Sequence, residues 1–146
     1  MTVDVEVHAT IDRPRAEVAG YCCDPENVTT WYGNVTAVQW ETAGPMAIGS
    51  RLRFTSDFLG RRLQYTYEVL ELVPAERLIM RSNESPFQME TAYTFQDTAD
   101  AATWMTVRNR GEPTAYTGLA PAILATAIRR ATSNDLARLK RILEAC

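Results

Sequence analysis

The chain has 146 residues, of which 46% are hydrophobic, and this suits a single domain over residues 1–146 with one buried core. Fifteen basic and eighteen acidic residues are spread along the chain, with a formal net charge of -3, so we expect no nucleic-acid partner. No run approaches the ~20 apolar residues of a membrane span and no signal peptide is evident, which predicts a cytoplasmic protein without stable membrane insertion.

The first segment, residues 3–11, alternates strictly between apolar and polar side chains, and this pattern predicts a β-strand with one buried face. Asp12 as N-cap and Pro14 in the first turn then predict a short helix that ends near Cys22.

A second short helix is predicted from Asp24-Pro25, which repeats the same start signal, to about residues 31–32, where Gly33 ends it.

The three cysteines are predicted to be reduced thiols rather than disulfides. Cys22 and Cys23 are adjacent, and Cys146 is the last residue.

The middle of the chain predicts six further strands that pair antiparallel with their neighbours. They are residues 35–40, 51–58, 62 to the residue before Pro74, 77–82, 89–96 and 103–109. Turn-forming residues separate them, including 59–61, 83–86 and 97–100, and a loop at 111–114 follows the last strand.

The C-terminal segment from Leu119 to about Ala145 is rich in Ala, Leu, Ile and Arg and lacks an internal glycine, which predicts one long helix. Its apolar stripe comprises Leu124, Ile128, Leu136, Leu139, Ile142 and Leu143, and the opposite face comprises Arg130, Arg138, Arg141 and Glu144.

Several short motifs, spread over nearly the whole chain, resemble those of one protein superfamily. They are Ile11-Asp12-Arg13-Pro14, Asp24-Pro25-Glu26-Asn27 with Trp31, Gly49, Phe58-Leu59-Gly60-Arg61-Arg62, Tyr67-Glu68-Val69, Pro74-Ala75-Glu76-Arg77-Leu78, Tyr93-Thr94-Phe95 and residues 136–144. In these features the sequence resembles the START-like superfamily, also called SRPBCC, in its polyketide cyclase/dehydrase-like branch.

The resemblance implies an α+β helix-grip fold, in which a seven-stranded curved antiparallel sheet wraps a long C-terminal helix. Two short helices after the first strand would plug one end, leaving a cavity between sheet and helix. Members of this superfamily bind lipids, hormones, polyketides and other apolar molecules, and only some of them catalyse a reaction. The fold therefore does not decide the function.

Strand parity, with the cavity that the resemblance implies, predicts which side chains contact a small hydrophobic ligand. The candidates are Trp31, Phe54, Ser56, Phe58, Tyr65, Tyr67, Thr91, Tyr93, Met105, Asn109, Leu124 and Ile128. For each tyrosine the alternative is a packed ring whose hydroxyl bonds to a main-chain carbonyl or reaches the rim. For Trp31 the alternative is that it caps the core.

Asp135 lies on the apolar stripe of the last helix, where an unpaired carboxylate would be unfavourable unless it is protonated. It is the candidate catalytic residue, as a general acid or base, or a hydrogen-bond partner for a ligand hydroxyl. The alternatives are a local kink in the helix or an ion pair with an arginine from the sheet.

The first part of the last helix, residues 119–128, is apolar on all sides and needs a cover. A lid over the cavity, a homodimer contact or a flanking loop that holds Tyr116 would each provide one.

The sequence argues against metal, nucleotide and hydrolytic chemistry. His8 is the single histidine, which is too few for a His/Cys metal site or a Ser-His-Asp or Cys-His nucleophile. No glycine-rich phosphate loop is present. We therefore expect neither a metal nor another cofactor.

Three functions remain open at this stage. The leading hypothesis is a module that binds, sequesters or transports a small hydrophobic, lipid- or polyketide-like ligand. The second is a polyketide cyclase, aromatase or dehydratase that uses the same cavity, with Asp135 or a tyrosine moving protons. The third is a regulatory module that contacts a protein partner through residues 119–128.

Overall fold

The structure is a computed structural model that describes residues 3–82, 88–116 and 118–145. Its strands are β1 (Val3–Ile11), β2 (Val35–Trp40), β3 (Arg51–Phe58), β4 (Arg61–Val73), β5 (Arg77–Ser82), β6 (Gln88–Asp97) and β7 (Thr103–Glu112). Its helices are α1 (Arg15–Cys22), α2 (Val28–Trp31) and α3 (Pro121–Glu144), with single 3₁₀ turns at Pro25–Asn27 and Thr114–Tyr116. The predicted turn at 83–86 and Cys146 lie outside the described residues.

The strands form one curved antiparallel sheet in the order β1-β7-β6-β5-β4-β3-β2. Strands β2 to β7 pair with their neighbours in sequence, whereas β1 pairs with β7, so that Val3 lies opposite Gly111. Val3, Val5 and Val7 are buried while the polar residues between them are exposed. The alternation in β1 therefore produces the one-faced strand that it predicts.

Helix α3 packs on the buried face of the sheet and is tied to the edge strand β1. Leu124, Leu136, Leu139 and Leu143 are all buried, which confirms the predicted apolar stripe. Polar contacts along one side of the helix reinforce this packing. They are Arg129 Nη1 to the Glu6 carbonyl at 3.0 Å and Lys140 Nζ to the Thr10 carbonyl at 2.6 Å.

Two predicted helix starts differ from the structure. Helix α1 begins at Arg15, with Pro14 in the N-cap position and no side-chain cap, so Asp12 lies too early in the chain to cap it. The main-chain N–H of Asp12 donates to Glu144 Oε2 at 2.9 Å. Helix α3 begins at Pro121 rather than Leu119, since proline suits the first turn, where its missing N–H has no partner to lose. The Asp24 cap is confirmed, because its side chain accepts a hydrogen bond from the N–H of Glu26 at 3.0 Å.

One strand, β7, is longer than predicted, whereas β4 ends at Val73, just before Pro74, as predicted. Strand β4 continues to Val73 through an irregularity between Val69 and Glu71, which shifts its pairing with β5. Strand β7 includes Gly111, at φ +147, where an added Cβ would lie 2.2 Å from the carbonyl oxygen of Gln88. A glycine that signals a loop in the sequence here permits two strands to approach closely.

The apolar start of α3 is only partly covered. Leu124 is fully buried, whereas Ile123 is 60% exposed. The lid and homodimer roles of this segment remain predictions.

Within the described residues, no helix is long and apolar enough to cross a membrane. Cys22 and Cys23 are free thiols.

Candidate functional site

A cavity of about 100 Å³ lies between the sheet and α3. Its wall is formed by β3, β4, β6 and β7 on one side, by α3 on the other, and by the segment after α2 at one end. The lining residues are Tyr32, Asn34, Val35, Ser56, Phe58, Leu63, Tyr65, Tyr67, Met89, Thr91, Asn109, Pro113, Tyr116, Ile128, Ala131, Thr132 and Asp135. Most of the lining is apolar or aromatic, with a small number of polar groups, as is usual for small-molecule pockets.

An outer groove of about 420 Å³ adjoins this cavity. The two spaces share Asn34, Phe58, Ala131 and Asp135, which therefore mark the junction between them. The remaining groove residues are Gly33, Leu59, Ala127, Arg130, Asn134 and Arg138. The junction lies between α3 and the β3–β4 turn.

Aromatic rings in contact with one another form part of the cavity wall. Tyr65 and Tyr67 contact each other edge to face with centroids 5.4 Å apart, and Phe54 packs behind both, 5.8 Å and 5.1 Å from them. At the outer end, Phe58 meets Tyr116 edge to face at 5.7 Å. Such offset and edge-to-face pairs are the preferred aromatic arrangements and hold each ring in place.

A chain of hydrogen bonds crosses the cavity wall from β4 to α3. Tyr67 Oη lies 2.8 Å from Thr91 Oγ1, and Thr91 Oγ1 donates to Asn109 Oδ1 at 2.6 Å. Asn109 Nδ2 then donates to Thr132 Oγ1 at 3.0 Å, and Thr132 donates to the carbonyl of Ile128 at 2.8 Å. Four cavity-lining side chains thus form one connected network.

The other tyrosine hydroxyls are also paired. Tyr65 Oη lies 2.6 Å from Ser56 Oγ, the Tyr32 and Tyr93 hydroxyls are hydrogen-bonded to each other, and Tyr116 Oη donates to the carbonyl of Phe58 at 2.7 Å. Of the three predicted inward tyrosines, Tyr65, Tyr67 and Tyr93, all bond to side chains rather than to main-chain carbonyls.

The buried tyrosines are neutral at physiological pH. Burial raises the pKa of Tyr67 to about 12 and raises the pKa values of Tyr32, Tyr65 and Tyr93 as well. They act here as hydrogen-bond donors and acceptors rather than as anionic nucleophiles or bases.

Asp135 is buried at the junction between cavity and groove, with 12% of its side chain exposed. Its Oδ1 accepts a hydrogen bond from the main-chain N–H of Gly33 at 2.8 Å, and Arg138 Nη1 lies 3.5 Å away. Burial raises the pKa of Asp135 to about 6, although the Gly33 N–H and the Arg138 charge both oppose that rise.

One structural alternative considered for Asp135 is an ion pair with an arginine of the sheet. Asp135 does pair with an arginine, but the guanidinium belongs to Arg138, three residues later on α3. Helix α3 runs from Pro121 to Glu144 through this position. Arg138 is predicted on the face opposite the apolar stripe, yet it is not fully exposed. It is half-buried, because its Nη1 donates to the carbonyl of Trp31 at 2.9 Å and so ties α3 to α2.

The predicted ligand contacts divide into two groups. Those that line the cavity are Ser56, Phe58, Tyr65, Tyr67, Thr91, Asn109 and Ile128, together with the catalytic candidate Asp135. Those that do not reach it are Trp31, Phe54, Tyr93, Met105 and Leu124, all of which are buried in the core. Parity chooses the face of the sheet, but α1 and α2 fill the end where Trp31 and Tyr93 pack together at 5.6 Å.

Several lining residues are absent from the predicted ligand contacts. Tyr32 and Asn34 flank Gly33 after α2, in a loop whose path periodicity does not determine. Thr132 was predictable, because it lies four residues after Ile128 and three before Asp135 and therefore on the same helix face.

Among residues 3–82, 88–116 and 118–145, no group of three His, Cys, Asp or Glu is placed to hold a metal ion.

The fold is a helix-grip arrangement of the START-like class, in which the sheet closes on a long C-terminal helix and short helices follow the first strand. Residues 2–144 match the family described as polyketide cyclase / dehydrase and lipid transport, and the chain belongs to this family. It is a ligand-binding domain of that family. No curated protein matches the sequence.

Solved structures confirm the fold. A START superfamily protein from Mycobacterium smegmatis is 11% identical with a TM-score of 0.84 over 97% of both chains. A protein from Thermus thermophilus is 18% identical with a TM-score of 0.83, also over 97% of both chains. The Zhui aromatase/cyclase from Streptomyces sp. R1128 is 18% identical with a TM-score of 0.79, over 99% of this chain and 94% of that one.

Proposed function

We propose that this protein binds, sequesters or transports a small, mainly apolar molecule in the cavity between the sheet and α3. The observation that carries the proposal is the combination of a largely apolar inner cavity with an outer groove that shares four of its lining residues. An internal cavity beside an outer groove suits a ligand that enters and leaves unchanged. Apolar burial supplies the affinity, and the few polar groups supply orientation.

The size of the inner cavity limits how much of a ligand it encloses. Typical ligand pockets measure about 300–1,000 Å³, and an engineered cavity of about 150 Å³ is known to hold benzene. At about 100 Å³ the inner cavity encloses only part of a ring-sized molecule. The remainder extends through the junction into the outer groove, or the wall moves outward when the ligand binds.

The junction offers a direct test of this proposal. Ala131 lines both spaces on α3, so Ala131→Phe places a ring where the two meet. Ala137 is exposed on the same helix and lines neither space, so Ala137→Phe is the matched control. Binding of a panel of apolar fluorescent and ring-sized probes is measured by calorimetry or by fluorescence titration.

We expect saturable binding in the wild type and in Ala137→Phe and its loss in Ala131→Phe. A wild type that binds no probe of a broad panel contradicts the proposal. Equal binding by Ala131→Phe, with its fold intact by circular dichroism, contradicts the location of the site.

A second candidate function is a polyketide cyclase, aromatase or dehydratase. The observation in its favour is Asp135, a buried carboxylate at the cavity junction whose pKa of about 6 lies near physiological pH. Such a group can remove a proton next to a ligand carbonyl and return it elsewhere, while the cavity holds the chain in a folded shape.

This candidate is tested by the exchange of α-protons of a ring ketone such as cyclohexanone in D₂O, followed by NMR. We expect wild-type protein to accelerate exchange and Asp135→Asn to lose that acceleration while still binding the ketone. Equal exchange by both proteins would remove Asp135 from the chemistry and leave ligand binding as the function.

A further inference from the structure

In the hydrogen-bond chain along the cavity wall, the donor and the acceptor of each bond can be assigned. The assignment begins at Thr132 on α3. A main-chain carbonyl can only accept, so the bond between Thr132 and the carbonyl of Ile128 commits the hydroxyl proton of Thr132. Thr132 Oγ1 is then an acceptor toward Asn109, which must present its NH₂ group there, at 3.0 Å. The amide orientation of Asn109 follows from this bond and needs no separate assumption.

Donors and acceptors can be assigned in the same way across the sheet, from Asn109 on β7 to Tyr67 on β4. With its NH₂ on Thr132, Asn109 presents Oδ1 to Thr91, and an amide oxygen can only accept, so Thr91 donates at 2.6 Å. Thr91 Oγ1 has given its proton to Asn109, so it must accept from Tyr67 at 2.8 Å. The proton of Tyr67 is therefore directed into the wall.

Two unused positions remain in this chain. Tyr67 has committed its proton, and its oxygen retains an accepting lone pair. Asn109 Nδ2 carries a second N–H that has no partner among the described residues. Both residues line the cavity, so the chain offers a ligand one acceptor and one donor.

The other polar pairs of the lining have no such fixed direction. Ser56 with Tyr65, and Tyr32 with Tyr93, are pairs of hydroxyls in which either oxygen can donate to the other. Their protons can reorient around a ligand, so these pairs accept several arrangements. Of these hydroxyl and amide groups, Tyr67 and Asn109 are the ones whose directions are fixed, and they lie on the sheet side of the cavity, whereas Asp135 lies at its junction with the groove.

We propose that the cavity selects a neutral ligand that carries a hydroxyl group, an alcohol, phenol or enol, which donates to Tyr67 and accepts from Asn109. This inference rests on the proposed function, because it specifies the ligand of the same site. A ketone, ester or ether can accept from Asn109 but has no proton for the Tyr67 oxygen. A carboxylate fails for the same reason and also loses its hydration in an apolar cavity.

Three ring probes of similar size test the inference: cyclohexanol, cyclohexanone and methylcyclohexane, with binding measured by calorimetry or by ligand-observed NMR. In the wild type we expect cyclohexanol to bind about tenfold more tightly than cyclohexanone, the difference expected for one hydrogen bond. Tyr67→Phe removes the acceptor and is expected to abolish this preference, measured as the ratio of the cyclohexanol and cyclohexanone affinities.

Thr91→Val breaks the chain at its centre and frees the proton of Tyr67 to point at the ligand. We expect the preference for the alcohol over the ketone to fall by about tenfold in this variant. Thr91→Ser preserves the chain and is expected to keep the preference. Tyr21→Phe is the control for loss of a tyrosine hydroxyl, since Tyr21 bonds to Thr30 and does not line the cavity.

The outcomes separate the two proposals. If the wild type binds all three probes with similar affinity, the hydroxyl preference is wrong and the proposed binding function stands. If it binds none of them, or nothing in a broader apolar panel, the binding function itself is overturned. If thermal unfolding shows that Thr91→Val is not folded, Tyr67→Phe alone decides, and an unchanged alcohol preference in that variant overturns the inference.

Discussion

The carboxylate of Asp135 accepts a hydrogen bond from the main-chain N–H of Gly33 at 2.8 Å, and this bond joins α3 to the loop between α2 and β2. Both residues border the outer groove, and Asp135 also borders the inner cavity. Gly33 fits this position closely, because a Cβ there would meet Arg138 Nη1 at 3.2 Å and Asp135 Oδ1 at 3.4 Å. The bond fixes the distance across the junction of the two spaces.

The stability of the protein is expected to depend on the charge of Asp135. Burial raises the folded-state pKa from 3.8 to about 6, so the folded state holds this proton more strongly than the unfolded state does. The contribution of the group is therefore fully present below about pH 4 and is lost as the pH rises to about 6 and above. Asp135→Asn retains an oxygen for Gly33 and removes the buried charge. The difference in free energy of unfolding between this variant and the wild type should therefore grow by about 2 kcal/mol as the pH rises from about 4 to about 7.5. Urea unfolding at each pH measures it.

Asp57→Asn is the control for this experiment. Asp57 is exposed, and its hydrogen bond with Arg62 lowers its pKa, so its charged form is the favoured one. We expect Asp57→Asn to show no gain over the same pH range. A gain equal to that of Asp135→Asn would show that a general charge effect, rather than burial of Asp135, sets the profile.

Hydrogen exchange is expected to report the Asp135–Gly33 bond directly. Gly33 is exposed to solvent, so protection of its amide depends on the side chain of Asp135. Asp135→Ala should accelerate exchange at Gly33 by about tenfold or more, whereas Asp135→Asn should change it little. Fast exchange at Gly33 in the wild type would contradict this bond. An unchanged rate in Asp135→Ala would show that another group protects the amide.

Enlarging the inner cavity should strengthen the binding of ring-sized probes. Leu63 is buried and lines the cavity, so Leu63→Ala adds space at the ligand site and should cost about 3 kcal/mol of stability. Leu78→Ala removes the same atoms from a buried leucine of β5 that does not line the cavity. We expect about tenfold tighter binding of cyclohexane to Leu63→Ala only, measured by NMR titration. Equal gains in both variants would indicate that general loosening, rather than cavity volume, controls binding.

Gly111 should be intolerant of a side chain. At φ +147 with a neighbouring carbonyl 2.2 Å from the ideal Cβ position, Gly111→Ala forces β6 and β7 apart and should cost about 2 kcal/mol or more. Gly20 lies in α1 with nothing within 4 Å of an added Cβ, so Gly20→Ala should stabilise by about 0.5–1 kcal/mol. Thermal unfolding of both variants gives the comparison, and equal effects would contradict the close approach at Gly111.

The sequence predicts most of the fold because its strands carry strong two-residue alternation. Strand β1 has the predicted bounds, 3–11, and strands β2, β3 and β5 also match. The boundaries that differ depend on packing that the alternation does not report. Strand β7 continues to Glu112, because Gly111 lets β6 approach closely at a position where the sequence signals a loop.

The site was only partly predictable, because facing inward is not the same as facing the cavity. Tyr65 and Tyr93 have the same parity and both are buried, but only Tyr65 reaches the open space. The difference arises where α2 and Trp31 fill one end of the sheet, and strand periodicity carries no information on that packing. The burial of Asp135 was predictable, since it follows from its position on the helix stripe.

The pairing of β1 with β7 also has a consequence for the order of folding. Strands β2 to β7 meet their partners across connections of at most ten residues, whereas Val3 must find Gly111 more than a hundred residues later. Local hairpins close quickly and long loops close slowly, so we expect the β2–β7 meander to assemble first. During synthesis on the ribosome, the face of β1 that carries Val3, Val5 and Val7 therefore stays unpaired until β7 and α3 have been synthesised. A chaperone that binds nascent chains should find its main target in this first strand.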